Sequence, residues 1–369
     1  MNDATAAAVQ AVLDDAVARG LTPGAVASVV RADGRSRRFF SGHRHEADSA
    51  VVNERTVYDL ASLTKLLCTT RLVAAAVDDD VIALDERPFA GWPGVSVAHL
   101  LQHTAGLAAH RPLHELAIRA GGTALAKGRD VVVDAALQTI PDAPPGQRTL
   151  YSDLGFIALG ALLEERRQRP LDALFADLPT TTATTTTTSA AAGLRFVCLW
   201  REGYHPGILE TAPTERCVWR RRAVLGQVHD ENAFAMGGIA GHAGLFGSLV
   251  DVEGAALGLL RELQTDSTLR RFARAPGDRG LGFDRATRGG STGDVLGDAT
   301  VGHLGFSGTS LWIDPEFPPD DDGDDDDDSR SPGAAFVLLA NTLYPSREGV
   351  LARNKELRRA FHQAAAGQP

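Results

Sequence analysis

Tyr58-Asp59-Leu60-Ala61-Ser62-Leu63-Thr64-Lys65 leads into an apolar run and sets Ser62 three residues ahead of Lys65. At a helix start this spacing places a hydroxyl and an amine on one face. A serine hydroxyl is too weakly acidic to attack a carbonyl at neutral pH without a neighbouring base. A partly desolvated lysine can be that base if its pKa falls, and the helix start adds backbone N–H donors where an oxyanion would form. Alone, the Ser-x-x-Lys pattern also describes a serine near a helix start with a solvated lysine one turn later.

Two further segments add to it. Leu150-Tyr151-Ser152-Asp153-Leu154-Gly155-Phe156 places a tyrosine and a carboxylate two apart ahead of an apolar helical stretch. Gly302-His303-Leu304-Gly305-Phe306-Ser307-Gly308-Thr309-Ser310 is expected to open a strand. In the order Ser-x-x-Lys, Tyr-x-Asp, His-x-Gly, the chain resembles the serine β-lactamase and penicillin-binding protein superfamily. The branch concerned holds class C β-lactamases, D-alanyl-D-alanine carboxypeptidases, D-aminopeptidases and related esterases. The segments Leu100–Leu107, Val228–Ala233, Gly237–Phe246, Leu311–Pro315 and Phe336–Asn341 are similar to the same family, and the landmarks run from about Leu21 to Arg359.

The resemblance implies roles for these residues. Ser62 would attack a substrate carbonyl, and Lys65 and Tyr151 would share general-base and general-acid duty, with the holder of the proton left open. The oxyanion would be held by the backbone N–H groups of Ser62 and Phe306, the second placed by the strand expected to start at His303. Asp153, His303 and Gly305 join Phe306 as substrate-binding and oxyanion positions, and His103 and His242 are candidates for the cleft. The product would be an acyl-enzyme that water resolves.

Two departures bear on substrate. Many β-lactamases and carboxypeptidases carry Lys-Thr-Gly in the third motif, where a permanent cation meets the substrate carboxylate; here the residues are His303-Leu304-Gly305. A histidine is mostly neutral at pH 7. The second motif often ends in asparagine, which can donate to a substrate amide, whereas Asp153 as an anion only accepts hydrogen bonds. Both changes disfavour a carboxylate ligand and shift the expectation toward esters, or amides with a neutral or cationic group near the scissile bond. D-aminopeptidase-like and esterase-like members are similar in having histidine in the third motif.

Composition fits such an enzyme. A chain of 369 residues, 44% hydrophobic and 23% charged, can bury a large core and divide into more than one folding unit. The net charge of −10 is concentrated in Asp320–Asp328, where eight of nine residues are aspartates, so the rest of the chain sums to about −2. Nucleic acid is therefore not an expected partner. Cys68, Cys198 and Cys217 have no metal-like spacing and read as free thiols in a reducing compartment. The N-terminus carries acids instead of a basic n-region, and no apolar stretch is long enough to span a bilayer, so a cytoplasmic enzyme without membrane contact is expected.

Along the chain, residues 3 to 19 read as an amphipathic helix closed by Gly20. Gly24–Val30 and Arg38–Ser41 read as a hairpin around Ala32-Asp33-Gly34. From Leu66 to about Arg222 the patterns are mostly helical, broken by Pro93, by Pro141–Gly146 and by Pro179; strands return after Gly237, and a helix from about Arg347 to Ala365 ends the chain. The expected architecture is an α/β (α+β) fold of the β-lactamase/transpeptidase-like type. Its antiparallel sheet would be flanked by helices, with 1–70 and 225–369 forming a discontinuous α/β domain and 71–224 an inserted all-helical subdomain. The Thr-rich tract 180–190 reads as a flexible loop. The Asp-rich tract 319–331 reads as an acidic hairpin loop between strands Gly305–Ile313 and Ala334–Asn341, roughly 25 to 30 Å from the third motif at about 3.3 Å per residue.

His103, His229, Asp230 and His242 lack the H-x-x-x-H or H-E-x-x-H spacing of a metal site, so neither metal nor cofactor is expected. Gly289-Gly290-Ser291-Thr292-Gly293 matches G-x-S-x-G without the preceding strand and following helix of a nucleophile elbow, and reads as a loop. The sequence thus points to a serine hydrolase acting on a small ester, amide or peptide-like molecule. A β-lactamase or D-alanyl-D-alanine carboxypeptidase is the alternative within enzymes, and a non-catalytic binding protein that keeps the fold is the alternative outside them.

Overall fold

The computed structural model describes residues 1–45, 50–121, 126–178, 193–199, 210–319 and 331–367. The Thr-rich and Asp-rich tracts fall outside them. The chain begins with helix α1 (Asp3–Ala18), whose first turn is capped by the Asn2 side chain accepting from the Thr5 N–H, and with strands β1 (Gly24–Arg31) and β2 (Ser36–Gly42). Next come β3 (Tyr58–Asp59), a π-helical segment Lys65–Thr70 and its continuation α2 (Arg71–Asp78). Helices α3 (Val97–Leu101), α4 (His114–Arg119), α5 (Ala126–Leu137), α6 (Asp153–Arg167) and α7 (Leu171–Ala176) follow.

Short strands β4 (Arg195–Phe196), β5 (Arg216–Cys217) and β6 (Arg222–Ala223) precede α8 (Glu231–Ala235) and β7 (Leu245–Gly247). The chain continues through α9 (Leu249–Gln264), α10 (Thr268–Ala273), β8 (Asp284–Arg285), β9 (Val301–Leu304), β10 (Ser310–Asp314), β11 (Ala334–Ala340) and α11 (Val350–Ala365). No helix among the described residues is long and apolar enough to cross a membrane.

The main sheet is antiparallel, in the order β2-β1-β11-β10-β9-β8. Its centre reads as almost unbroken apolar sequence because both faces are covered. Along β11, Ala335, Val337 and Leu339 face the large core with α9, while Phe336, Leu338 and Ala340 face Val9 and Leu13 of α1 and Leu357 and Phe361 of α11. That alternation is the two-residue period of a strand. Smaller sheets, β3-β7-β4 and β5-β6, lie beside it.

Three expectations are corrected here. The third motif does not open a strand: His303 lies within β9, a turn at 305–309 follows, and the next strand starts only at Ser310. Gly305 and Gly308 make this turn, with Gly308 at φ +119, where L side chains are disfavoured. As β10 has five residues, it spans only roughly 17 Å at about 3.3 Å per residue. Its Asp314 end, paired with Ala334, leads toward the Asp-rich tract and lies opposite the turn. The stretch expected to be mostly helical contains β4, β5 and β6, each of two residues, too short to show a period. The last helix starts at Val350, after Gly349 at φ +69.

Close packing of two glycines sets the inner wall of the site. Gly160 on α6 lies against Gly241, and a Cβ at 241 would come 2.1 Å from the Phe156 carbonyl oxygen. The Gly241 carbonyl accepts from Thr69 Oγ1 (2.6 Å) and the next carbonyl, of His242, accepts from Lys65 Nζ (3.2 Å). Gly241→Ala is expected to lower the unfolding free energy by about 1–3 kcal/mol through overpacking. A denaturant midpoint equal to that of wild type would show that the helix and loop separate freely.

Candidate active site

Ser62 follows a backbone held in a sparsely populated conformation. Ala61 has φ +48, and its N–H donates to Asp59 Oδ1 (2.8 Å), while Asp59 Oδ2 accepts from the His229 N–H (2.6 Å). Asp59 is buried, which pushes its carboxyl up despite these two donors. Thr64 Oγ1 donates to the Ala61 carbonyl (2.7 Å) and accepts from the Leu245 N–H (3.1 Å), fastening the turn to β7. Ser62 itself is half-buried and precedes the helical segment that Lys65 continues.

Lys65 is fully buried, and its amine has three oxygen partners: Ser62 Oγ (2.9 Å), Asp153 Oδ1 (2.8 Å) and the His242 carbonyl. Burial works against its charge, but Asp153 and then Tyr151 outweigh burial and raise its pKa. Burial likewise opposes ionisation of Asp153, yet Lys65 and a hydrogen bond from His110 hold the carboxyl well below the usual carboxylate range. The resting pair is therefore ammonium and carboxylate, and a base role for Lys65 requires a proton to leave it first.

Tyr151 stands two residues ahead of Asp153, just outside α6, with its phenol close enough to Lys65 and Ser62 for both to favour its ionised form. The Lys65 ammonium lies 4.8 Å from its ring centroid. Burial raises the phenol pKa, and Lys65 offsets part of that rise. The ring packs against His103, centroid to centroid 4.5 Å, and His303 is on another side at 5.8 Å.

Both histidines are buried and are pushed well below the ordinary imidazole value, first by burial and then by Lys65 and Arg279. His103 Nδ1 accepts from the Ser152 N–H (3.0 Å), and the His303 Nδ1 hydrogen meets the Leu304 carbonyl (2.9 Å), leaving His303 Nε2 buried and without a partner. At neutral pH the third motif thus offers an uncharged ring. The turn after it is joined to the serine segment: Ser307 Oγ donates to the Asp59 carbonyl (2.8 Å) and Thr309 Oγ1 to the Leu60 carbonyl (3.1 Å). A Cβ on Gly305 would come 2.0 Å from Thr309 Oγ1. Neither the Ser62 nor the Phe306 N–H has a hydrogen-bond partner among the described residues, so both remain available to a ligand oxygen.

The structure therefore brings Ser62, Lys65, Tyr151, Asp153, His103, His303 and the 305–306 turn into one neighbourhood. His242 stands behind, with Nε2 on Asp230 Oδ1 (2.9 Å) and its carbonyl on Lys65, and His229 pairs instead with Glu215. His110 and Arg279 are additions that sequence spacing does not reveal. His110 Nδ1 lies 3.3 Å from Asp153 Oδ2, and Arg279, ion-paired to Asp284 (3.2 Å), lies 5.4 Å from the Tyr151 ring centroid. The histidine set weighed from sequence does not converge on a metal. His110, Asp153 and Asp230 instead offer ligand atoms within 4.8 Å of one another, but Lys65 already holds Asp153. A cavity of about 740 Å³ lined by Asn2, Arg31, Asp314, Phe317 and Ala365 lies away from this neighbourhood and contains no nucleophile–base pair.

A serine hydrogen-bonded to a buried lysine, with a tyrosine ring beside that lysine and two backbone N–H groups unpaired among the described residues, is the arrangement of a serine hydrolase on a β-lactamase/transpeptidase-like fold. The chain matches the Beta-lactamase family over residues 9–360 and belongs to that family, whose members are serine hydrolases. A relative from Salmonella agona (strain SL483), provisionally named a D-alanyl-D-alanine carboxypeptidase, is 26% identical over 318 residues, covering 75% of this chain and 70% of its own. Among solved structures, unliganded simvastatin synthase (LovD) from Aspergillus terreus superposes with a TM-score of 0.67 at 17% identity over 100% of this chain and 99% of that one. EstCE1, described as a hydrolase with promiscuous acyltransferase activity, gives 0.66 at 20% identity over 97% and 98% of the two chains.

His103 titration should be visible in stability. A histidine whose folded pKa lies below its unfolded value of about 6.5 contributes fully above that pH, and its contribution is lost as pH falls toward the folded value. His103 has φ +58, a conformation asparagine tolerates. His103→Asn should make the loss of stability below pH 6.5 shallower by up to about 1.4 kcal/mol per pH unit. Parallel curves for variant and wild type, from denaturant unfolding between pH 5 and 7, would exclude this residue as a source of the dependence.

Proposed function

We propose that the chain forms an acyl-enzyme on Ser62 and cleaves small esters or amides, with Lys65 and Tyr151 moving the proton. The observation that carries this reading is the contact of Lys65 Nζ with Ser62 Oγ at 2.9 Å inside a pocket where the amine is fully buried. Once Lys65 or Tyr151 has given up a proton to solvent, Ser62 Oγ passes its own proton to that group as it bonds to the carbonyl carbon, and the N–H groups of Ser62 and Phe306 receive the oxyanion. The same proton goes to the leaving group as its bond breaks. Water then reverses the sequence and frees the serine.

Substrate preference follows from charge. His303 is neutral and Asp153 is an anion beside the nucleophile, which together disfavour a substrate carboxylate at those positions. A second reading, peptidase or β-lactamase action on a carboxylate-bearing substrate, is favoured by the name of the Salmonella relative and by Arg279, a cation near Tyr151.

Hydrolysis of a p-nitrophenyl short-chain ester and of a chromogenic cephalosporin, each by wild type and Ser62→Ala, tests both readings. Ester turnover that disappears in the variant, with little cephalosporin hydrolysis, is expected; efficient cephalosporin turnover would make the second reading primary. Asp153→Asn removes the anion that stabilises the ammonium, so Lys65 should release its proton at lower pH and the acid limb of kcat/KM should move to lower pH. An unmoved limb would mean that another group titrates.

A further inference from the structure

Arg358 lies on α11, one layer behind the 305–309 turn, and is 5% exposed. Among the described residues it makes no ion pair with a carboxylate, and its Nε is buried without a partner. What it touches is backbone: Nη2 donates to the Gly305 carbonyl (2.5 Å) and to the Thr309 carbonyl (2.7 Å). Burial pushes the guanidinium down to about 9, which still leaves it a cation at neutral pH. A buried charge without a counter-charge is unfavourable, and replacing buried charged groups by apolar ones is often neutral or stabilising. Packing alone therefore gives no reason for an arginine here.

The Gly305 carbonyl and the Phe306 N–H belong to one peptide group. In a planar trans peptide the two point in opposite directions, so a donor that holds the oxygen from behind fixes the direction of the hydrogen in front. A cation on the oxygen also draws electron density from the nitrogen and makes the N–H a stronger donor. The next peptide is held from the same helix, with Asn354 Nδ2 donating to the Phe306 carbonyl (3.0 Å). The turn is closed from within by Gly305 N–H to Thr309 O (2.7 Å) and Gly308 N–H to Gly305 O (3.2 Å).

On this geometry we infer that Arg358 is a positioning residue for the oxyanion site: it orients and polarises the Gly305–Phe306 peptide so that the Phe306 N–H meets the charge that develops on the substrate oxygen. The inference rests on the proposed acyl-enzyme reading. It assigns to the last helix a part in transition-state binding without contact with substrate.

The test compares wild type, Ser62→Ala, Arg358→Met and Arg358→Lys in hydrolysis of p-nitrophenyl butyrate, inhibition by a phenylboronic acid that mimics the tetrahedral adduct, and thermal melting. Loss of an oxyanion donor itself reduces kcat by about 10²–10³-fold, so misalignment of one should cost about 10- to 100-fold. Arg358→Met should show that fall in kcat with KM within about 3-fold of wild type, boronate affinity weakened in parallel and melting temperature unchanged or higher. Arg358→Lys, which keeps a cationic donor, should recover a large part of kcat. If the methionine variant gives no cooperative melt, Arg358→Gln, which can still donate one hydrogen bond, takes its place with the same readouts.

A folded variant with unchanged kcat and boronate affinity overturns the inference. So does a fall in kcat that merely follows a fall in melting temperature, with boronate affinity intact. Turnover that persists in Ser62→Ala overturns the acyl-enzyme reading and this inference together. Turnover that needs Ser62 but ignores position 358 overturns only the latter.

Discussion

Placing an ammonium in a protein interior is the constraint around which this site is built. Lys65 is fully buried, and removing such a group from water is unfavourable by several kcal/mol unless oxygen ligands replace the lost hydration. Three oxygens do so, each from a different part of the chain: Ser62 at the helix start, Asp153 at the first turn of α6 and the His242 carbonyl from the glycine-rich loop. The amine is thus the common partner of Ser62 and of two packed segments. Small residues at 160 and 241 are needed because the helix carrying Asp153 and the loop carrying His242 must approach almost backbone to backbone.

The second constraint is the placement of backbone donors. Hydrogen bonds from Ser307 and Thr309 attach the 305–309 turn to the carbonyls of Asp59 and Leu60, and Asp59 in turn sets the entry to Ser62. The serine segment and the turn after His303 are therefore fixed to each other directly and do not depend on their separate attachments to the sheet. Charge has a different distribution. The anion lies beside the lysine, the rings at 103 and 303 are neutral, and Arg279 is ion-paired to Asp284.

The parts of this design with a local sequence signature were legible. Ser62 and Lys65 are one helical turn apart, Tyr151 and Asp153 bracket a helix start, and the covered strands read as continuous apolar runs. The position of His303 within β9 was not legible, because Leu304-Gly305-Phe306 continues the apolar pattern through what is in fact a turn. The two-residue strands at 195, 216 and 222 carry no period at all. His110, Arg279 and Arg358 act only through tertiary approach: nothing in the spacing of His110 to Asp153, or of Arg358 to Gly305, distinguishes them from surface charges.

The sheet register has a consequence for biosynthesis. Ala25 near the start of the chain pairs with Ala340 near its end, and β1 has its other neighbour in β2. The closure entropy of so long a loop must be met before the central pairing forms, and such non-local contacts make for slow folding. On the ribosome, β1 and β2 emerge early but wait for β11, and the 305–309 turn has no helix behind it until α11 has left the exit tunnel. The surroundings of Ser62 therefore stay incomplete until the segment carrying α11 has been made, about 290 residues after the serine itself.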